Sequence, residues 1–101
     1  MLKYFTTIFF MCAVVYVSVQ QKEIDSMKKI LPSLHDTDRI DCLNELSYSY
    51  TYISKKDSAA YYATIAENEA RKLNYIHGIA ESVSRQAWQN ILKIIFLKQE
   101  N

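Results

Sequence analysis

Residues 43–75 read LNELSYSYTYISKKDSAAYYATIAENEARKLNY, and the reading of this stretch decides the fold. Leu43, Leu46, Ser47 and Tyr50 recur at spacings of three, one and three, which a helix gathers onto one stripe. Beyond the polar break Ser54-Lys55-Lys56-Asp57, the residues Ala59, Ala63, Ala66, Ala70 and Leu73 recur at four, three, four and three. That pattern makes a long, narrow face of small side chains. Alanine lets a neighbouring helix approach closely, and the leucine and tyrosine side chains of the first helix fill the remaining space. The stretch therefore predicts an antiparallel helix pair. SYSYTY carries β propensity of its own, but the three-four spacing on both sides outweighs it.

Large apolar, small and Tyr positions in one helix, followed by an alanine ladder in the next, resemble the tetratricopeptide (TPR) repeat. Leu43, Leu46, Ser47 and Tyr50 match the first set, and Ala59 and Ala66 match the ladder. Ala63 stands where the family carries an aromatic residue, with Tyr62 one place earlier. DTDRIDCLNELSYSY and EARKLNYIHGIAES are also similar to the N-terminal TPR regions of bacterial sensor kinases and regulators, those of Bacteroidetes above all. The resemblance covers residues 24–83. It implies an α-α superhelix fragment that holds a protein or peptide partner on a concave face lined mostly by first helices.

Working outward, the chain opens MLKYFTTIFFMCAVVYVSVQQ, with a positive start and no further charge until Lys22. This is the layout of a secretory signal peptide. The apolar run from Tyr4 to Val19 would make a helix about 24 Å long, short of the roughly 30 Å hydrocarbon layer. Val17-Ser18-Val19 is a poor small-x-small cleavage site, so residues 1–20 read as signal peptide or membrane anchor. The matching locations are export to the periplasm or anchoring in the inner membrane of a bacterium.

Residues 22–35 predict a short lead-in helix carrying Ile24, Met27, Ile30 and Leu31 and ended by Pro32. Residues 38–75 hold the helix pair, with Asp36 or Thr37 expected to cap its first helix and Asp57 or Ser58 its second. Ile40, Leu43, Leu46, Tyr50 and Ile53 are expected inward, and Asn44, Glu45 and Ser49 outward. Arg71 and Lys72 suit the last turn of the second helix, and Asn74 suits the left-handed closing position.

Residues 76–101 read as the first helix of an incomplete second repeat, with Ile76, Ile79, Val83, Ala87, Ile91 and Ile94 or Ile95 on one face. Aligning Val83 with Leu43 gives a period of 40 residues. The reading expects the unfinished helix to expose Ile91, Ile94, Ile95 and Phe96, a patch that seeks a partner, a second copy included.

At 101 residues the chain is one small domain at most, with a single Gly, a single Pro and half its residues apolar, a composition for an all-α fold. A net charge of +1 and the lack of a basic, aromatic-laced cluster argue against nucleic acid. Cys12 lies in the apolar run and Cys42 in the first helix of the pair, so no disulfide framework is read.

His35-Asp36 lacks the context of a phosphotransfer site and reads as a loop pair, and His77 reads as a polar residue at a helix start. His35, His77 and Cys42 lie on segments that would have to converge to bind metal. Glu67 to Arg71 is an i, i+4 pair on a solvated face. The residues therefore point to contact, with no catalysis, cofactor or metal. The candidate partner-binding positions are Asn44, Tyr48, Tyr52, Ile91 and Ile95.

Overall fold

The computed structural model describes residues 2–100, with the side chains of Leu2, Lys3, Phe5, Ala13, Tyr16, Val17, Gln99 and Glu100 left aside. The fold is all-α. Helix α1 spans Leu2–Ile30 and runs into one 3-10 turn, Leu31–Ser33. Helix α2 spans Asp36–Tyr52, α3 Lys56–Lys72 and α4 Ile76–Glu100, and there is no strand among the described residues.

Each break has a local cause. Pro32 sits in the first positions of the 3-10 turn, where its fixed φ is tolerated and continued α-helix is not. Helices α2 and α3 close alike, on a left-handed residue that is not glycine. Ser54 (φ 61) and Asn74 (φ 54) turn the chain so that the next amide reaches five residues back. Lys55 N–H bonds to the Tyr50 carbonyl at 2.9 Å and Tyr75 N–H to the Ala70 carbonyl at 2.9 Å. This is the Schellman closure, and at Asn74 it is the one the sequence predicts.

The helix starts differ from expectation. Residues His35 and Lys55 hold the cap positions, and neither helix has a side-chain cap bond. Asp36 takes φ 54, outside the extended backbone that an N-cap residue needs to turn its side chain onto the first amides.

Helices α2 and α3 pack antiparallel. Arg39 near the start of α2 donates to Glu69 near the end of α3 at 2.8 Å, and Ser47 Oγ donates to the Ala59 carbonyl at 2.7 Å. Ala59, Ala63, Ala66 and Ala70 are all fully buried, so the small face lies against its neighbours throughout. On α2, Ile40, Leu43 and Leu46 fill the gap, each burial contributing about 1.5–3 kcal/mol.

Tyr50 and Tyr62 stack with ring centroids 5.5 Å apart, which places a Tyr pair at the end of the seam. Ile24 and Met27 of α1 cover Cys42, Leu46 and Tyr50 from the other side. Cys42 is buried, and desolvation raises its thiol pKa, so it stays protonated and inert.

Helix α2 is enclosed on more sides than a hairpin alone would enclose it. Helices α1, α3 and α4 all touch it, so Asn44 and Ser49, expected outward, are buried. Leu73 is the reverse case. It ends the alanine spacing in sequence but sits at the cap of α3 and is 47% exposed.

Across the expected boundary between residues 1–20 and the lead-in segment 22–35 the backbone stays helical. Helix-forming residues continue across Gln20-Gln21-Lys22 without a glycine or proline, and α1 passes through unbroken. Its first part, including Ile8, Phe9, Phe10, Met11, Val14 and Val15, is exposed, and it enters the core only at Ile24. Among the described residues, no helix is long and apolar enough to cross a membrane. The protruding ends of α1 and α4 give a radius of gyration of 16.4 Å, where a compact chain of this length has about 13 Å.

Candidate functional site

Helix α4 lies antiparallel to α3 and therefore parallel to α2, with α3 behind both. Gln86 Nε2 donates to Glu67 Oε1 across the α3–α4 contact at 2.6 Å. Gly78 permits the close approach at the top. A Cβ there would stand 2.6 Å from the Tyr75 ring and 2.8 Å from Ile40 Cγ2. The Asn44 amide donates to the Gly78 carbonyl at 3.4 Å, pinning the first turn of α4 to α2.

Further along, α2 and α4 leave a groove of about 520 Å³ lined by Tyr48, Thr51, Tyr52, Ser84, Arg85 and Trp88. Its walls are aromatic. Tyr48 and Tyr52 meet edge to face at 4.7 Å and are joined through their hydroxyls, while Trp88 faces them from α4 and is half exposed. The Arg85 guanidinium lies over the Tyr48 ring at 4.3 Å and 3.8 Å from Glu81, with most of its side chain covered. A cation on an aromatic face contributes about 1 kcal/mol, more where water is excluded.

The floor is polar and ordered. Gln89 Nε2 donates to Thr51 Oγ1 at 2.7 Å, and Thr51 Oγ1 donates to the Ser47 carbonyl at 3.0 Å. Gln89 Oε1 and Arg85 Nε, both closed off from the surface beneath the groove, have no protein partner among the described residues.

Glu67 belongs to the support of this groove. It accepts from Gln86 and, at 2.7 Å, from Arg71, and these two bonds, with that from Gln86 first, lower its pKa. The sequence reading of a merely solvated carboxylate is corrected by the bond across to α4. Tyr75 plays a similar part at the other end. Its hydroxyl donates to Asp41 at 2.9 Å, and that bond raises its pKa.

The candidate residues separate into three groups. Tyr48 and Tyr52 come together on the groove wall, 37% and 46% exposed. Asn44 is 1% exposed, so its place as a contact residue is corrected: it holds α4 in position. Ile91 and Ile95 are exposed on α4 and take no part in the groove lining. Tyr61 lies on the outer side of α3, away from the groove.

Ser84, Arg85 and Trp88 were not singled out from sequence. The signal was the 40-residue alignment itself, which sets Trp88 on Tyr48 and Ser84 on Asn44. His35 and His77 are exposed on separate segments, and among the described residues no cluster of His, Cys, Asp or Glu side chains forms a metal site.

The arrangement offers aromatic faces, one cation and hydroxyls, with no nucleophile paired to a base. No protein-family model matches the chain, and no curated protein and no solved structure matches it.

Proposed function

We propose that this chain is a protein-interaction module of TPR-like design, holding a segment of a partner protein in the groove between α2 and α4. The observation that carries the reading is the groove wall itself. Tyr48, Tyr52 and Trp88 with Arg85 are the residue types in which binding energy concentrates, standing half exposed around an ordered polar floor. The alanine seam of α2 and α3 and the 40-residue spacing of α2 and α4 support the family resemblance. The module is exported or tethered to a membrane by the apolar half of α1, and it acts by contact, with no turnover.

Selection of displayed peptides on the immobilised chain tests this, with Trp88 emission as the binding signal. A single enriched motif is expected, bound at least about tenfold more weakly after Tyr52→Ala or Arg85→Ala and unchanged by Thr64→Ala on the outside of α3. Binding that ignores Tyr52 and Arg85, or no enrichment, removes the proposal.

A second reading, a membrane protein whose α1 is a permanent anchor and whose helices regulate a membrane partner, is favoured by one observation. Helix α1 continues from the apolar run into the core at Ile24 without a break, so its two halves act as one rod. Mass spectrometry of the N-terminus decides between the two, because an intact start in the membrane fraction supports the anchor and a start near Gln20 supports export.

A further inference from the structure

Two stretches of the chain are apolar on every side of their helix. Ile8-Phe9-Phe10-Met11 on α1 and Ile94-Ile95-Phe96-Leu97 on α4 are each four consecutive residues, all of them half exposed or more. At 3.6 residues to the turn, four in a row go right round the helix. A partner helix or a second copy covers one stripe and leaves the others in water, whereas a surrounding apolar medium covers them all.

Both stretches lie toward the same end of the molecule. Helix α1 runs antiparallel to α2, since Leu31 packs with Ile40 and Leu43 while Ile24 packs with Leu46 and Tyr50. Its earlier residues therefore head toward the α2–α3 turn. Helix α4 passes the same turn: Gln89 bonds Thr51 at the close of α2, and the Lys56 ammonium lies over the Phe96 ring, 4.6 Å from its centroid. Cations gather there. Lys55 and Lys56 in the turn and Lys93 and Lys98 on α4 are all exposed, with Asp57 and Glu100 as the nearby acids in sequence. Ser54, Lys55, Lys56, Asp57, Ser58 and Phe96 line a shallow hollow of about 670 Å³.

We propose that this end of the molecule seats on an anionic lipid surface, with the apolar ends of α1 and α4 as two points of entry and Lys55, Lys56, Lys93 and Lys98 meeting the headgroups. The inference rests on the tethered form of the proposed module and adds a second contact to it. Apolar helix faces of this kind sink about 5–10 Å, to the boundary of headgroup and acyl chain, while lysine stems let the ammonium groups stay among the phosphates. Basic residues beside an apolar insertion select anionic lipid.

Partition of the full chain onto phosphatidylcholine vesicles, with and without phosphatidylglycerol, tests the seating. Trp88→Phe with Phe96→Trp leaves a single indole, at the α4 end, whose emission should shift to the blue on vesicles and be quenched by bromine-labelled lipid chains. Lys55→Glu with Lys56→Glu should weaken partition onto phosphatidylglycerol vesicles at least about tenfold and change it less than about twofold on phosphatidylcholine alone. Because the substituted residues are exposed, helicity by circular dichroism should match the parent in each variant. Partition with the indole at 96 wet and unquenched overturns the proposal and leaves the α1 tether standing. A parent chain that does not partition removes the tether as well. An indole already dry before vesicles are added, covered by a second copy, or partition indifferent to the lysine reversal also overturns the proposal.

Discussion

Helices α2 and α4 are two versions of one pattern with opposite fates. They begin 40 residues apart, at Asp36 and Ile76, and run parallel against the same α3. Leu43, Ser47 and Tyr50 on α2 are buried, whereas Val83, Ala87 and Asn90 at the matching places on α4 are exposed. The difference lies in the company. The face of α2 that carries those residues is covered by the alanine ladder of α3, whereas on α4 Gln86, at the place of Leu46, meets α3 through Glu67 and its neighbours Val83, Ala87 and Asn90 stay exposed. Burial here belongs to the interface between helices more than to either helix.

The sharpest way to break that comparison is a pair of identical insertions. Ala63→Trp forces an indole into a seam with no free surface and should cost about 3 kcal/mol, read by urea unfolding of dilute protein. Ala87→Trp at an exposed place on α4 should stay within about 0.5 kcal/mol in the same measurement. Equal losses would mean that the two faces are equally filled.

A smaller effect is expected where α4 meets α2. Gly78→Ala gains helix propensity but drives a methyl into Tyr75 and Ile40, for a net loss of about 1–2 kcal/mol in thermal melts. A neutral or stabilised variant would show that α4 docks more loosely than this contact implies.

The smallest effect is electrostatic. Glu67 is held below its ordinary pKa by Gln86 and Arg71, so its contribution is complete above the unfolded carboxyl value of about 4.3 and fades as pH falls through the lower folded value. Glu67→Gln should therefore flatten the acid limb of the stability profile and cost less than about 1 kcal/mol at neutral pH. A parent profile already flat between pH 5 and 3 would sink this assignment.

Much of the architecture is legible in residue order because it depends on local spacing. The alanine ladder fixes one side of the α2–α3 seam, and Leu43, Leu46 and Tyr50 fix the other. Asn74 closes α3 as its type suggests. What spacing does not show is which second and third neighbours a helix will acquire.

Asn44 and Ser49 are polar and look outward on a helical wheel, yet α1 and α4 both reach α2 and enclose them. The groove was half visible for the same reason. Tyr48 and Tyr52 stand out as a local cluster, while Arg85 and Trp88 join them only through the long-range placement of α4. Similarly, the end of the apolar run before Lys22 does not stop the helix, because polarity alone does not break one.

The unbroken course of α1 has a mechanical meaning. As a single rod of about 43 Å it is seated against α2 only over its later turns, from Ile24 onward, and projects free over its earlier ones. Whatever grips the projecting end also sets the bearing of the aromatic groove. A sideways pull there would be levered about Ile24 onto Cys42 and Leu46 instead of being lost in a slack linker.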